Sequence, residues 1–258
     1  MKFTRRKFIL TASAALVAAP AALALDARAI EPQWVKLTRL RLSDKPSHRF
    51  VHFSDLHHKG DCAHTQSVVD LINSLTPDFV CFTGDILEEA KYLAEALQLL
   101  SGIKSPLYGV PGNHDYESGI SFNDVRRCFA STGGAWLVDE QMSVAGGKIN
   151  LIGEAQIGPH HVPPAVKPGT MNLVMCHYPI FVKRLGEQKF DLMLAGHSHG
   201  CQVRLPFYGP LVVPYGVGEY DLGLFRTQWG PLYVTSGIGW FPFPVRFNCR
   251  PEIVLVEV

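Results

Sequence analysis

Beyond its first 30 residues, the 258-residue sequence lacks any long hydrophobic run. No later apolar stretch approaches the roughly 20 residues that a membrane-spanning helix requires, which excludes a polytopic membrane protein. The sequence also lacks a fixed-period repeat, and its composition excludes a disordered tail and a collagen-like or coiled-coil rod. With 47% hydrophobic and 18% charged residues, the composition instead predicts one large layered α/β domain.

Paired cysteine spacings are also missing, because the six cysteines are scattered without a C-x-x-C motif. This pattern indicates neither a zinc knuckle nor a disulfide framework; a disulfide can still form after export, but the sequence assigns no pairing. Cys81 and Cys176 lie inside apolar runs. We expect both to behave as small buried hydrophobic side chains.

Positive charge is scarce outside the N-terminal region. Residues 1–29 hold five basic residues and one acidic residue, whereas the rest of the chain has 19 basic and 22 acidic residues, a net charge of −3. Nucleic-acid binding requires clustered Lys and Arg to neutralise phosphates. We therefore expect no nucleic-acid partner.

The first 29 residues have the order of a secretory signal. Arg5, Arg6 and Lys7 precede an apolar stretch over residues 8–25, and residues 27–29 form a small-x-small cleavage site. The adjacent arginines predict a twin-arginine (Tat) signal, which the Tat translocon reads and which exports proteins already folded. A metal would then be loaded before export.

Two fates of this segment stay open. Residues 1–29 could be a signal peptide that is removed, leaving residues 30–258 as the mature domain. Alternatively, the apolar stretch of about 18 residues, at the short end of a membrane span, could be retained as an N-terminal anchor. In both cases we expect a monomeric protein exported to the periplasm or cell envelope.

From residue 50 onward, short apolar runs alternate with segments of helical periodicity. This alternation predicts a largely parallel sheet with helices packed on it. After Gly200, short β-branched and aromatic runs split by Gly and Pro predict a mainly antiparallel second sheet. Residues 158–169 are predicted to form a long surface loop. The predicted strands are 49–53, 79–82, 107–110, 173–176 and 192–195, and the predicted helices are 65–75, 88–100 and 121–130.

Each of these five strands ends in residues that can bind a metal ion. Loops at the carboxyl ends of parallel strands converge on one crevice, so we expect these residues to meet. Carboxylate, imidazole and amide groups suit Zn, Mn or Fe better than a soft thiolate-bound ion. The seven candidates exceed what one tetrahedral ion needs, which favours two ions and displacement at phosphorus. They are Asp55, His57, Asp85, Asn113, His177, His197 and His199.

The five segments resemble the calcineurin-like metallophosphoesterase signature D-x-H, G-D, G-N-H-D, H and G-H-x-H, in the same order, and the resemblance covers residues 48–258. It implies a four-layer α/β/β/α sandwich in which helices flank two mixed β-sheets. It also implies two divalent ions (Mn, Fe or Zn), one held by Asp55, His57, Asp85 and His199, and the other by Asp85, Asn113, His177 and His197. Asp85 would bridge them.

The same resemblance implies roles for the rest of the G-N-H-D segment. His114 would protonate the leaving oxygen or stabilise its charge, and Asp115 would orient His114. General-acid assistance of this kind contributes about 10²- to 10⁴-fold to the rate.

A closer resemblance is to the exported, YkuE-like branch of that family. It rests on the twin-arginine signal, on residues 196–202 (G-H-S-H-G-C-Q) and on Gly237-Ile238-Gly239. Related enzymes of the lipid A pathway cleave UDP-2,3-diacylglucosamine at its pyrophosphate. Cys201 and Arg250 depart from the usual Gly and Pro of the branch. Neither is an expected ligand, so the resemblance is weaker for the choice of substrate than for catalysis.

These resemblances imply a metal-dependent phosphoric ester hydrolase. Its substrate would be a phosphodiester or pyrophosphate of the cell envelope or of a lipid-linked molecule, and we assign no substrate-binding residues. The alternative is a non-catalytic cell-envelope binding protein that contains a metal, but this predicts lost ligands, and His114 and Asp115 are both present. Phosphomonoesterase or protein phosphatase activity would need anion-binding arginines that the sequence does not place.

Nine aromatic residues cluster late in the chain, and we expect most of them to pack between the two sheets. An apolar groove for a lipid or sugar is the alternative. The prolines of residues 240–244 (W-F-P-F-P) disfavour a central strand and predict a lip that faces substrate or membrane, so peripheral membrane association is a further expectation. The nine residues are Phe207, Tyr208, Tyr215, Tyr220, Trp229, Trp240, Phe241, Phe243 and Phe247.

Overall fold

The computed structural model describes residues 18–155 and 165–258. The arginine pair, the first part of the apolar stretch and residues 158–164 of the predicted surface loop lie outside these ranges. Residues 18–25 are helical and lead into a π-helical turn (Asp26–Ile30) and a 3₁₀ turn (Glu31–Gln33). None of the described helices combines the length and the apolar character that crossing a bilayer needs.

The described strands and α-helices are numbered in chain order. The helices are α1 (Cys62–Ser74), α2 (Leu93–Leu100), α3 (Asn113–Glu117) and α4 (Phe122–Ser131). The strands are β1 (Lys36–Arg41), β2 (Arg49–Phe53), β3 (Phe79–Phe82), β4 (Leu107–Gly109), β5 (Ala135–Trp136), β6 (Glu140–Val144), β7 (Ile149–Glu154), β8 (Met171–Cys176), β9 (Leu192–Ala195), β10 (Arg204–Leu205), β11 (Gly209–Pro210), β12 (Gly223–Thr227), β13 (Gly230–Val234) and β14 (Glu252–Glu257).

The first sheet has the strand order β1-β14-β2-β3-β4-β5. All neighbouring pairs in it are parallel except β14 and β2. The predicted parallel strands 49–53, 79–82 and 107–110 are therefore confirmed as neighbours. Their apolar side chains are buried on both faces, which explains why these runs show no polar alternation.

The second sheet has the order β12-β13-β9-β8-β7-β6. The four central strands run parallel, and only the outer strands β12 and β6 pair antiparallel with their neighbours. The expectation of a mainly antiparallel second sheet after Gly200 is therefore wrong. The strands after Gly200 are instead divided between the two sheets. β12 and β13 extend the second sheet beside β9, and β14 lies in the first sheet between β1 and β2.

Three apolar layers hold the sandwich together. Side chains from the facing sides of the two sheets form the central layer, which includes Phe50 of β2 and Leu194 of β9. Helices α1, α2 and α4 cover the outer face of the first sheet, with Phe129 stacked edge-to-face on Trp136. A 3₁₀ helix (Pro179–Arg184) packs on the outer face of the second sheet. Two mixed sheets flanked by helices are thus confirmed.

The helices begin and end close to their predicted limits, with one exception. The segment predicted as helix 88–100 starts with a 3₁₀ turn (Ala90–Tyr92), and regular α-helix begins only at Leu93. The preceding residues are held by the site instead, because the backbone of Ile86 accepts a 2.8 Å hydrogen bond from the His58 N–H. Tertiary contacts override helical periodicity there.

The late aromatic residues do not lie where we expected. The layer between the sheets contains none of the nine, and Tyr220 and Trp229 pack on the outer face of the second sheet. The loops after β9 are rich in Gly and Pro, so they form a surface rim instead of buried strands. The large aromatic side chains that stay exposed on this rim are Phe207, Tyr208, Tyr215, Phe241 and Phe243.

Candidate metal centre

All seven predicted ligands converge at one edge of the sandwich. They follow the carboxyl ends of strands from both sheets, so the centre lies across the junction of the two sheets. Asp55 and His57 follow β2, Asp85 follows β3, Asn113 begins α3 after β4, His177 follows β8, and His197 and His199 follow β9.

The ligand atoms fall into two adjoining groups, each within 4.8 Å. In the first group, His57 Nε2 lies 3.0 Å from His199 Nε2, which is 3.6 Å from Asp55 Oδ1. In the second, His177 Nε2 lies 3.2 Å from His197 Nδ1 and from Asp85 Oδ2. The fold therefore brings together candidate ligands that are up to 144 positions apart in the sequence.

Asp85 and Asn113 complete the arrangement. Asp85 Oδ2 is also 3.5 Å from His57 Nε2, so this carboxylate contacts both groups, as expected for a bridging ligand. Asn113 Oδ1 lies 3.1 Å from His177 Nε2, on the side of the second group. The two ligand sets implied by the sequence resemblance correspond to these two groups.

The backbone at the centre is strained. Five of the seven ligands have positive φ, a region that costs a non-glycine residue about 1–3 kcal/mol. Glycines let the ligand loops approach each other: a Cβ on Gly112 would lie 2.1 Å from Asp85 Oδ1, and one on Gly196 would lie 1.9 Å from Ser54 Oγ. The glycines of G-N-H-D and G-H-S-H are therefore required by close packing.

Burial and mutual charge govern protonation in the centre. Burial alone would lower the pKa of His177, but the nearby Asp85 carboxylate outweighs this effect and raises the pKa of His177 to about 9. Burial tends to raise the pKa of Asp85, yet His177 and His57 hold it well below its usual range. Burial, reinforced by the charge of Asp85, raises the pKa of Asp55. Two buried carboxylates thus compete for few positive charges.

The donor set fits divalent cations. His177 Nδ1 donates to the carbonyl of Thr83 at 2.7 Å, and His197 Nε2 donates to that of Tyr215 at 2.6 Å. With Nε2 of His177 and Nδ1 of His197 deprotonated, as metal binding requires, the two rings would direct these lone pairs at each other across 3.2 Å. A cation would make that geometry favourable and would also compensate the buried carboxylates.

Glu88 is a candidate site residue that the sequence motifs do not single out. Its Oε1 accepts a hydrogen bond from His57 Nδ1, and its Oε2 lies 3.0 Å from His114 Nδ1. These hydrogen bonds outweigh the effect of burial and lower the pKa of Glu88 to about 2. The available signal was a carboxylate three residues after Asp85, in the loop that follows the same strand.

His114 lies beside the centre with Glu88 as its carboxylate partner. Burial tends to lower the pKa of His114, but Glu88 and Asp85 together raise it. Asp115, the residue expected to orient His114, is aimed elsewhere: its carboxylate accepts N–H bonds from Gly112 and Asp85 at 2.8 and 2.9 Å. Burial and the charge of Asp85 raise the pKa of Asp115 to about 7. Its catalytic role stays a prediction, whereas its contacts fix two ligand loops.

A cavity of about 680 Å³ opens from the centre to the surface. Asp85, Asn113, His114 and His197 line its floor. Phe241 lies over the centre, with its ring centroid 4.4 Å from that of His114 and 6.0 Å from that of His57. The apolar wall comprises Val203, Leu211, Val212, Pro214, Tyr215, Phe241, Pro242 and Phe243.

Comparison with known proteins relates the chain to phosphoesterases. The sequence profile of the calcineurin-like phosphoesterases matches residues 48–201. The chain is 27% identical to the metallophosphoesterase YkuE of Bacillus subtilis, over 89% of this chain and 87% of YkuE. It is also 27% identical to the phosphodiesterase YaeI of Escherichia coli, over 88% of this chain and 90% of YaeI.

Two further similarities concern a pyrophosphatase and the fold. The chain is 27% identical to the UDP-2,3-diacylglucosamine pyrophosphatase LpxG of Chlamydia trachomatis, over 94% of both chains. The crystal structure of a dimetal phosphatase from Danio rerio superposes with a TM-score of 0.53 at 11% identity, over 83% of this chain and 99% of that one. This structural similarity supports the fold.

Replacing Glu88 with Gln should lower the affinity for divalent ions about 10- to 100-fold, because the carboxylate that holds His57 in the binding tautomer is lost. Isothermal titration of the metal-free protein with Mn²⁺ measures this change. Glu89→Gln is the matched control, since Glu89 is exposed and pairs with Lys91. Equal affinities for both variants would contradict the role of Glu88.

Proposed function

The chain belongs to the calcineurin-like phosphoesterase family and is a metal-dependent hydrolase, and we propose that its substrate is lipid-linked and lies in the cell envelope. The bond cleaved would be a phosphodiester or a pyrophosphate. One observation carries the proposal: the metal centre forms the floor of a cavity whose wall is almost entirely apolar. A phosphoryl group at the floor would leave an acyl or isoprenoid chain against that wall.

The residues of the centre divide the work of hydrolysis. Asp55, His57, Asp85 and His199 would hold one divalent ion, and Asp85, Asn113, His177 and His197 the other; Mn, Fe and Zn all suit these donors. When bound, the two ions supply Lewis acidity for activating water and neutralising phosphoryl charge. The ligand loops hold the donors rigidly, so little reorganisation is needed as charge develops.

His114 is the group that we assign to the leaving oxygen. Glu88 holds its Nδ1, which leaves Nε2 for the substrate. Burial works against it, but Glu88 and Asp85 raise the pKa of His114, which favours the protonated ring that a general acid requires. The ring of Phe241 covers this side of the site and would exclude water from the departing group.

The chemistry of the cavity favours a substrate with an apolar portion. From Leu205 to Gly218 the sequence contains no charged residue, and this segment supplies much of the apolar wall. A sugar-nucleotide without acyl chains, or a small phosphodiester, would leave that surface in water. The LpxG relative, a pyrophosphatase of a diacylated substrate by name, supports the same class of substrate.

Asp55→Ala and His197→Ala should each abolish the Mn²⁺-dependent hydrolysis of bis-p-nitrophenyl phosphate, because each removes a ligand from a different group of the centre. Turnover is followed by nitrophenolate release. His48→Ala is the control, since this half-buried histidine lies near Asp78, outside the centre. Unchanged turnover in both ligand variants would refute the assigned site, whereas absence of turnover in the wild-type chain would favour the non-catalytic alternative.

Leu211→Ser should raise KM for UDP-2,3-diacylglucosamine about tenfold while leaving bis-p-nitrophenyl phosphate hydrolysis unchanged. Burying a leucine side chain contributes about 1.5–3 kcal/mol, and tenfold corresponds to about 1.4 kcal/mol. Leu224→Ser is the matched control: Leu224 is 46% exposed and Leu211 is 51% exposed, but only Leu211 lines the cavity. Equal KM values for the two variants would exclude the cavity wall as the lipid site.

We further propose that the protein is exported by the Tat translocon and stays at the membrane through its N-terminal segment. Contacts around the predicted cleavage site support retention. Ala27 is buried, and its carbonyl accepts a 2.8 Å hydrogen bond from the Arg246 N–H. The Glu31 carboxylate accepts another from Asn248 N–H at 2.8 Å. A protein folded before export would therefore offer this site poorly to a peptidase.

The exposed aromatic rim supports peripheral contact of the protein with the lipid surface. Phe207, Tyr208 and Tyr215 are strongly exposed, and Tyr215 also lines the cavity. Their rings are apolar, and the two tyrosines end in a polar hydroxyl. Such side chains suit the interface between lipid headgroups and acyl chains. A substrate could then enter the cavity directly from the bilayer.

The double variant Arg5→Lys, Arg6→Lys should remain in the cytoplasm of a Tat-competent host, because the arginine pair is the signal that the translocon recognises. Cell fractionation and the mass of the exported chain measure export and retention of the segment. Arg28→Lys makes the same replacement outside the pair and should leave export intact. Full export of the double variant would exclude the Tat route.

A further inference from the structure

A second cluster of potential metal ligands lies beside the centre but points away from it. His58, Cys62 and Glu95 present a ring nitrogen, a thiol and a carboxylate oxygen within 4.8 Å of one another. His58 follows β2, Cys62 is the first residue of α1, and Glu95 lies on α2. Three elements of the first half of the fold therefore meet at this cluster.

His58 is held by partners that suit metal binding. Its side chain is buried, its Nδ1 lies 2.8 Å from Thr65 Oγ1, and its Nε2 lies 2.6 Å from Glu95 Oε1. A hydroxyl either donates or accepts a hydrogen bond. Thr65 can thus accept from Nδ1–H when Nε2 uses its lone pair to bind a cation, which fixes the ring as a ligand requires.

Cys62 and Glu95 occupy the accessible side of the cluster. Cys62 is half-buried, and Glu95 has 43% of its side chain exposed, so an ion could enter from solvent. The Asp61 side chain caps the helix by accepting from the His64 N–H at 3.1 Å, which fixes the backbone that carries Cys62. The backbone positions are therefore set before any ion binds.

We propose that His58 Nε2, Cys62 Sγ and the Glu95 carboxylate bind a third divalent ion of the Zn²⁺ type, with water in the fourth position. One nitrogen, one sulfur and one oxygen ligand suit tetrahedral Zn²⁺ or Co²⁺ better than Mg²⁺ or Ca²⁺. The thiol proton is released to solvent on binding, because the thiolate is the ligand.

The ion would brace the main centre from outside. The loop that carries Asp55 and His57 continues directly into His58, whose backbone pairs with that of Leu87 near the Asp85 loop. An ion at the cluster would fasten this loop to α1 and α2. Its role would be structural, and it does not depend on the substrate proposed above.

Cobalt distinguishes this cluster from the main centre, because the seven ligands of the centre include no cysteine. A thiolate bound to Co²⁺ gives a sulfur-to-metal charge-transfer band in the near ultraviolet, whereas imidazole and carboxylate ligands do not. The wild-type chain, reduced and metal-free, is titrated with Co²⁺ under anaerobic conditions. We expect the band to appear and to saturate at one thiolate-bound ion per chain.

Cys62→Ser should abolish the band and lower the bound Co²⁺ by one equivalent, whereas Cys128→Ser, which alters the other half-buried cysteine, should leave both unchanged. Far-ultraviolet circular dichroism and thermal unfolding of both metal-free variants verify that each is folded. Absence of the band in the wild-type chain, or its persistence in Cys62→Ser, would overturn the proposal and leave the cluster as a hydrogen-bonded trio.

Discussion

The buried carboxylate of Asp85 is the group on which the arrangement of both sheets depends. It lies at the end of β3, contacts His57 from the first sheet and His177 from the second, and accepts an N–H bond from His114 at 2.9 Å. An isolated buried charge of this kind is costly, so it must be surrounded by donors or cations. The loops that supply those donors fix how the two sheets meet.

Meeting this requirement imposes a second constraint on the backbone. Donors from five loops have to reach within hydrogen-bonding distance of one another, and five of the ligands adopt left-handed conformations to do so. The surrounding structure holds them there: Asp115 ties the Gly112 and Asp85 loops through backbone N–H groups, and Asp55 accepts the His197 N–H at 3.0 Å. Rigidity at the ends of buried parallel strands offsets the local strain.

The composition of the rim above this centre is set by other requirements than those of the buried site. Its loops are rich in Gly and Pro and carry exposed aromatic and aliphatic side chains, so burial within the domain does not determine their composition. Phe241 connects the two regions because its ring packs on His114 while its segment forms part of the apolar wall. Polar chemistry at the floor and apolar surface at the wall are thus joined in one cavity, which suits an amphipathic phosphoester.

Local sequence determined much of this protein. Buried strands such as 79–82 and the convergence of seven candidate ligands at strand ends could be predicted, because apolar runs and short polar motifs are local patterns. Other features were decided only in the tertiary structure. Whether a strand such as β14 joins the first or the second sheet depends on long-range pairing, which periodicity does not encode. Glu88 became recognisable only when its carboxylate lay between His57 and His114. The position of the late aromatic residues on the rim was also decided by the tertiary structure. Hydrophobicity favours burial of a side chain, but only the assembled fold determines whether other residues are available to cover it.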